Sequence, residues 1–263
     1  MTGIAGIIES ASNEKIKAAA KLAVSSKERR EKNRFLLEGL RLCRDAAECG
    51  VSVETFFYTQ NAFEKHETDV RFISSKAEKT FMISKAVALK LGDTQTPQGF
   101  FCVCACLSAQ NEEEILESGK FIALENVQDP SNLGAIARTA EALGITALIA
   151  ENGCDIYNPK AQRAAMGSLL RLPVVKTDNL CELIEKSKKR GFKAYATTPL
   201  ESAKPITEAD MSGCVIAVIG NEGNGVSKRI FDSCESVTIP MKGRAESLNA
   251  SVAAALVIWE LMR

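Results

Sequence analysis

The chain has 263 residues, 46% of them hydrophobic, with 33 basic and 33 acidic side chains. That length suits two modest domains or one large one with a sizeable core, and the zero net charge gives no global sign of a nucleic-acid partner. No apolar run approaches the roughly 20 residues of a membrane span, and MTGIAGIIESASNEK lacks signal-peptide features, so a soluble cytoplasmic protein with no membrane partner is expected.

The nine cysteines, an odd number in a chain of this size, point to free thiols in a reducing compartment. The single histidine, His66, sits in the polar stretch NAFEKHETD and reads as a solvated loop residue. Its solitude excludes a multi-histidine metal centre and argues against a histidine-based triad.

In chain order, the first feature is charge. Between residues 15 and 44 ten basic residues face three acids, a local surplus of +7. Arg29, Arg30, Lys32 and Arg34 are its candidate RNA contacts, since such a cluster neutralises phosphates without reading sequence. A solvated helix face is the alternative. FLLEG and VETFFYT follow as strands with the helical GLRLCRDAAECG between them, and FFCVCACL closes a small α/β domain. Cys102, Cys104 and Cys106 alternate in that last strand and should face one side as small core residues. The polar, acidic SAQNEEEILESGK, residues 108 to 120, reads as a linker, which sets two domains at 1–110 and 120–263.

After the linker, strand-like FIALENV, ITALIA, VVKT, KAYATT, CVIAVIG and SVTIP alternate with helical NLGAIARTAEALG, NPKAQRAAMGSLLRL, LCELIEKSKKRG, SKRIFDSC and LNASVAAALVIWELMR. That alternation predicts an α/β fold, a mostly parallel sheet with helices on both faces, with ligands beyond the carboxyl ends of the strands. Asn132 is placed to cap the helix that ends at Gly144, and Asn158 precedes Pro159 as a cap with proline in the first turn.

Three segments at strand ends carry candidate chemistry. In NVQDPSNLGAIARTAEALG a polar loop feeds a small, apolar helix, on which Arg138 either snorkels to the surface or binds an anion at a site edge. In VIAVIGNEGNGVS a buried strand enters a loop with Gly220, Gly223 and Gly225, which allow a sharp turn and close approach to a ligand. Its order G-x-x-G-x-G is neither the dinucleotide fingerprint nor a phosphate-binding P-loop, and a tight structural turn is the alternative. In VTIPMKGRAESLNASVAAALVIWE a loop runs from Pro240 to Ser247, Leu248 and Asn249, which open a small-residue helix with Ser247 as a possible cap.

Together, in order, wording and spacing, these segments resemble the SpoU (TrmH-like) family of SPOUT RNA methyltransferases over residues 121 to 263. SSKERREKNRFLLEGLRLCRDAAECG and DTQTPQGFFCVCA resemble, more loosely, the small L30e-like substrate-binding domain that precedes the catalytic domain in many members. The resemblance implies a deep trefoil knot in the C-terminal strands and methyl transfer from S-adenosylmethionine to a ribose 2′-hydroxyl of structured RNA, ribosomal RNA above transfer RNA. It implies cofactor contacts at Thr198, Gly220, Ile239, Met241 and Leu248. It gives Arg138 a catalytic role, either phosphate-assisted proton abstraction or phosphate pairing with alkoxide stabilisation, the latter preferred because a guanidinium stays protonated. Asn132, Glu222, Ser247 and Asn249 match the remaining polar family positions, and would order the loops and the target ribose. No metal is required, and pairing of the first-motif and C-terminal helices implies a homodimer.

Two rivals are weighed against this. A Rossmann-like nucleotide binder would show an acidic residue about twenty positions past a proper fingerprint, and none is so placed. A catalytically silent RNA-binding protein would be favoured by loss of Arg138 or Asn249, and both are present.

Overall fold

Runs rich in aromatic and β-branched residues pair into one sheet near the N-terminus, and apolar runs pair into a second after the acidic stretch. The computed structural model describes residues 6–108 and 115–263, which form two units. One holds the described residues through Ser108 together with Tyr157–Leu170; the other holds the described residues through Ile156 and Arg171–Arg263.

The first unit contains β1 (Gly6–Ile8), α1 (Glu14–Val24), α2 (Ser26–Lys32), β2 (Arg34–Glu38), α3 (Leu40–Glu48), β3 (Val53–Thr59), α4 (Gln60–Lys65), α5 (Glu67–Lys76), β4 (Ala77–Ile83), α6 (Lys85–Leu91) and β5 (Phe100–Ala105). Its strands run in the order β1-β4-β3-β5-β2, parallel as far as β3 and antiparallel from there. Leu36, Phe57, Phe101 and Val103 pack on one face against Ile16 and Leu22 of α1 and Val87 and Leu91 of α6. Alternate residues turn to the opposite face, where Cys102 meets Cys43 of α3. Burial pushes the Cys102 and Cys104 thiols well up, as befits inert core residues. Cys106 departs from the expected alternation. It lies past the end of β5, half-buried, with its N–H donating to the Asn33 carbonyl at 3.0 Å. His66 is exposed, at the junction of α4 and α5.

The second unit is built on β6 (Lys120–Glu125), α7 (Pro130–Leu143) and β7 (Ala147–Glu151). The next helix, α8 (Pro159–Ala165), counts with the first unit. The chain continues through β8 (Val174–Thr177), α9 (Leu180–Lys189), β9 (Lys193–Thr197), β10 (Lys204–Pro205), β11 (Val215–Ile219), α10 (Lys228–Phe231), β12 (Glu235–Thr238) and α11 (Ala250–Met262). The sheet order is β10-β12-β9-β11-β6-β7-β8, and every pair is parallel. Central β11, VIAVI, is buried at all of its positions, as an apolar run covered on both faces must be. α7 and α11 pack against each other, and the Lys120 ammonium at the start of β6 donates to the Leu261 carbonyl in the last turn of α11.

Several expectations need correction. The cap of α7 is Asp129, whose carboxylate accepts from the Ser131 N–H at 2.7 Å, with Pro130 at the first position. The helix therefore starts earlier than expected, and Asn132 lies inside its first turn with its side chain released for other bonds. Asn249, not Ser247, caps α11, accepting from the Ser251 N–H at 2.9 Å. The helix expected through NPKAQRAAMGSLLRL, capped by Asn158 as anticipated, stops at Ala165 because Met166 (φ 51°) and Gly167 (φ 90°) turn left-handed. Of the stretch read as a linker, residues 109–114 lie outside the described residues, and Leu116 beyond them is buried in the second core. Among the described residues no helix is long and apolar enough to cross a membrane.

Candidate active site

Parallel pairing sets the carboxyl ends of β12, β9 and β11 side by side. Thr198 follows β9, and its N–H donates to the Val237 carbonyl of β12 at 2.9 Å; the Thr197 hydroxyl donates to the Val218 carbonyl of β11, also at 2.9 Å. Thr198, Gly220 and Ile239 thus share one edge of the sheet. Met241 and Leu248 belong to the loop between β12 and α11, and with Ile239 they are half-buried, while Lys242 to Ser247 stand exposed. A β-carbon at Gly220 would meet the Gly225 carbonyl carbon and the Val226 nitrogen at 2.2 Å, so the missing side chain is what lets the loop close on itself.

The loop after β11 is drawn tight by Asn221, whose amide nitrogen donates to the Asn126 carbonyl at 2.9 Å while its oxygen accepts from the Gly223 and Asn224 N–H groups at 3.0 Å. At its tip, the Glu222 carboxylate accepts from the Gln128 N–H (3.1 Å), the Asp129 N–H (3.0 Å) and the Asn132 amide (3.0 Å). Partial burial pulls the Glu222 pKa up, but the bonds from Asn132, Gln128 and Asp129 outweigh it and leave the carboxyl below its ordinary range. The Asn132 oxygen in turn accepts from the Asn249 amide at 3.1 Å. One chain of bonds therefore joins all three motifs, from the β11 loop through the start of α7 to the start of α11.

Arg138 and Ser247 are outside that chain. Both are exposed, and among the described residues Arg138 makes no hydrogen bond or ion pair. A free guanidinium on a helix of small residues is available to an anion.

Beneath the loop lies a charged group that the sequence motifs do not include. Glu125 ends β6 and Glu151 ends β7, in register with each other, and both are buried. Glu125 accepts from the Ser227 N–H at 2.8 Å and the Ser227 hydroxyl at 2.5 Å; Glu151 accepts from the Leu180 N–H at 2.8 Å and from Arg229. The signal is present twice, in FIALE and ALIAE, as an acid closing an apolar strand.

The basic cluster divides. Arg29 turns inward, 3% exposed, donating to the Leu22 carbonyl at 2.6 Å, so it holds α1 to α2 and is not a phosphate contact. Arg34 pairs with Glu54 at 2.5 Å. Arg30 and Lys32 are exposed and unpaired among the described residues.

Comparison with known proteins matches residues 119–259 to the SpoU rRNA Methylase family and residues 13–102 to the MRM3-like substrate binding domain. The chain is 34% identical over 256 residues to the 23S rRNA (guanosine(2553)-2′-O)-methyltransferase RlmP of Bacillus subtilis (strain 168), covering 97% of this chain and 98% of that one. Among solved structures it is similar to an AdoMet-bound rRNA methyltransferase from Sinorhizobium meliloti, with a TM-score of 0.87 at 25% identity over 98% of this chain and 97% of that one. It is also similar to the SpoU methyltransferase AviRb from Streptomyces viridochromogenes in complex with AdoMet, with a TM-score of 0.83 at 25% identity over 95% of this chain and 97% of that one. With its three motifs bonded together at the carboxyl edge of a parallel sheet, and these matches over nearly its whole length, the chain belongs to the SpoU rRNA methylase family.

Proposed function

We propose that the chain methylates a ribose 2′-hydroxyl of 23S ribosomal RNA, at a guanosine as its Bacillus subtilis relative does, with S-adenosylmethionine as donor. The observation that carries this reading is the Glu222–Asn132–Asn249 chain of bonds, which gathers the three family motifs and leaves Arg138, exposed on the same helix as Asn132, outside it. The half-buried Ile239, Met241 and Leu248 near strand-end backbone fit an adenine-bearing cofactor, which needs an apolar wall and backbone partners. S-adenosylmethionine, when bound, supplies an electrophilic methyl group on sulfur. Thr198, Gly220, Ile239, Met241 and Leu248 would hold it. Asn132, Glu222 and Asn249 fix the loops, Ser247 meets the ribose, and Arg138 pairs with phosphate and stabilises charge growing on the 2′-oxygen. The strand order, with β9 flanked by the later β11 and β12, supports the knot that the family implies.

Residues 1–110 act as the RNA-binding domain and 120–263 as the catalytic domain, and Arg30 and Lys32 supply phosphate contacts. Mapping 2′-O-methyl nucleotides in 23S rRNA from cells with and without the protein tests the reading. One lost site on removal is expected, and identical maps overturn it.

The working form in this reading is a homodimer. α11 buries Ala254, Val257, Ile258 and Leu261 yet leaves Val252, Leu256 and Trp259 exposed at 48%, 43% and 61%. Their spacing places them on one flank, an apolar stripe suited to a second copy. Light scattering should give twice 28.4 kDa, and Leu256→Glu with Trp259→Glu should halve it; a wild-type mass of 28.4 kDa with activity intact refutes the dimer.

A further inference from the structure

We propose that the buried carboxylates of Glu125 and Glu151, bridged at the surface by the 48%-exposed Arg229, form a charge clamp that positions the loop from Gly220 to Ser227 and so sets the affinity for S-adenosylmethionine. The inference rests on the methyltransferase reading above. Two adjacent parallel strands end in register on carboxylates that are 6% and 1% exposed, side by side. Burying two like charges is costly unless every oxygen finds a donor and a counter-charge is near. Both conditions are met here. Ser227 gives Glu125 its N–H and its hydroxyl, Leu180 gives Glu151 its N–H, and the single Arg229 guanidinium bonds Glu151 and lies 3.7 Å from Glu125.

The donors show what is being held. Ser227 occupies the cap position of α10, yet its hydroxyl makes no capping bond, because it is turned to Glu125. It also closes the loop that begins at Gly220. That loop is now fixed twice, at its tip by Glu222 on the start of α7 and at its base by Ser227 on Glu125. Gly220, where the loop begins, packs against Gly225 and Val226, which lie between these two anchors. A loop held at its tip and its base is organised before any ligand arrives, which lowers the ordering cost of binding. These are positioning residues, since none needs to touch the cofactor.

The test is calorimetry with S-adenosylhomocysteine on the full chain, beside steady-state kinetics. Glu125→Gln keeps the volume but drops the charge facing Arg229, and should raise Kd and the KM for S-adenosylmethionine about tenfold, with kcat at saturation and the KM for RNA within about twofold of wild type. A merely structural role would lower the active fraction and leave the Kd of the folded protein unchanged. Arg229→Lys should stay within about threefold of wild type while Arg229→Met follows Glu125→Gln. A Kd in Glu125→Gln within twofold of wild type overturns the proposal. Should that variant not fold, Ser227→Ala carries the test, with a Kd about threefold higher expected and an unchanged one overturning it. Wild-type protein that binds no S-adenosylhomocysteine sinks the methyltransferase reading instead.

Discussion

Asn132 and Arg138 stand on α7 within two turns of each other, and their surroundings are opposite. Asn132 is 6% exposed and commits both ends of its amide, donating to Glu222 and accepting from Asn249. Arg138 is exposed and bonds nothing among the described residues. Polar groups that satisfy one another hold a site in shape, and a charge left free in water remains available to a substrate. The comparison separates residues that build the site from one that acts in it, although all of them come from the same motifs.

That separation breaks most visibly at Arg138. Arg138→Ala should cut methyl transfer by about a hundredfold or more while leaving the melting temperature and S-adenosylhomocysteine affinity near wild type. Arg138→Lys should recover little, because a point charge cannot reproduce the planar fork that grips phosphate. Near-normal turnover in Arg138→Ala would move the arginine out of the chemistry, and a collapsed melt would make it structural.

Asn132→Ala should behave the other way round, losing about 1–2 kcal/mol in denaturant melts because the charged Glu222 loses a donor and Asn249 an acceptor, both through part-buried bonds to the buried Asn132. A wild-type melt combined with a rate as low as that of Arg138→Ala would erase the distinction.

Glu222 sharpens it through pH. Its folded pKa is depressed by Asn132, Gln128 and Asp129 against the opposing pull of burial, so its contribution to stability is present above the ordinary glutamate range and is lost as pH falls through the folded value. Glu222→Gln lacks that contribution. The gap in melting temperature between wild type and Glu222→Gln should therefore be widest near neutrality and narrow in acid, and a gap that widens in acid would contradict the bonding pattern.

The smallest effect belongs to the basic cluster, where the same contrast recurs. Neutralising Arg30 and Lys32 should flatten the salt dependence of RNA binding by about one unit of slope for each phosphate left without its cation. Arg29→Met should leave that slope alone and lower the melting temperature, since Arg29 serves the Leu22 carbonyl.

The periodicity of this sequence carries local structure well and spatial neighbourhood poorly. Apolar runs mark β6, β7 and β11, β-branched residues mark β8, and Gly144 ends its helix in the left-handed conformation, as expected of a glycine there. The order of those strands is a tertiary property, absent from any window of residues. Asp129 displaces Asn132 as the cap because two adequate capping residues lie within one turn, and it is Pro130, in the first helical position, that decides between them. Arg29 shows the same limit from the other side, since charge is visible in a sequence and direction is not. The short β1, the two-residue β10 and the strand β4 are hard to see in the sequence because few alternating positions mark them. Glu125 and Glu151 are legible as residue types at strand ends, but a bond to Ser227 across 102 positions is not a local pattern.

The wholly parallel sheet has a consequence in time. β9 acquires both of its neighbours, β11 and β12, from chain that follows it, while β6 waits for β11 from nearly a hundred residues downstream. Pairings between such distant segments are slow to form, because loop closure must precede any reward from pairing. Until residues 215–238 dock, β9 has no strand on either side, and an unpaired apolar strand is a template for another chain. Refolding of this protein is therefore expected to be slow and to lose yield steeply as concentration rises, through the same strands that hold the finished site.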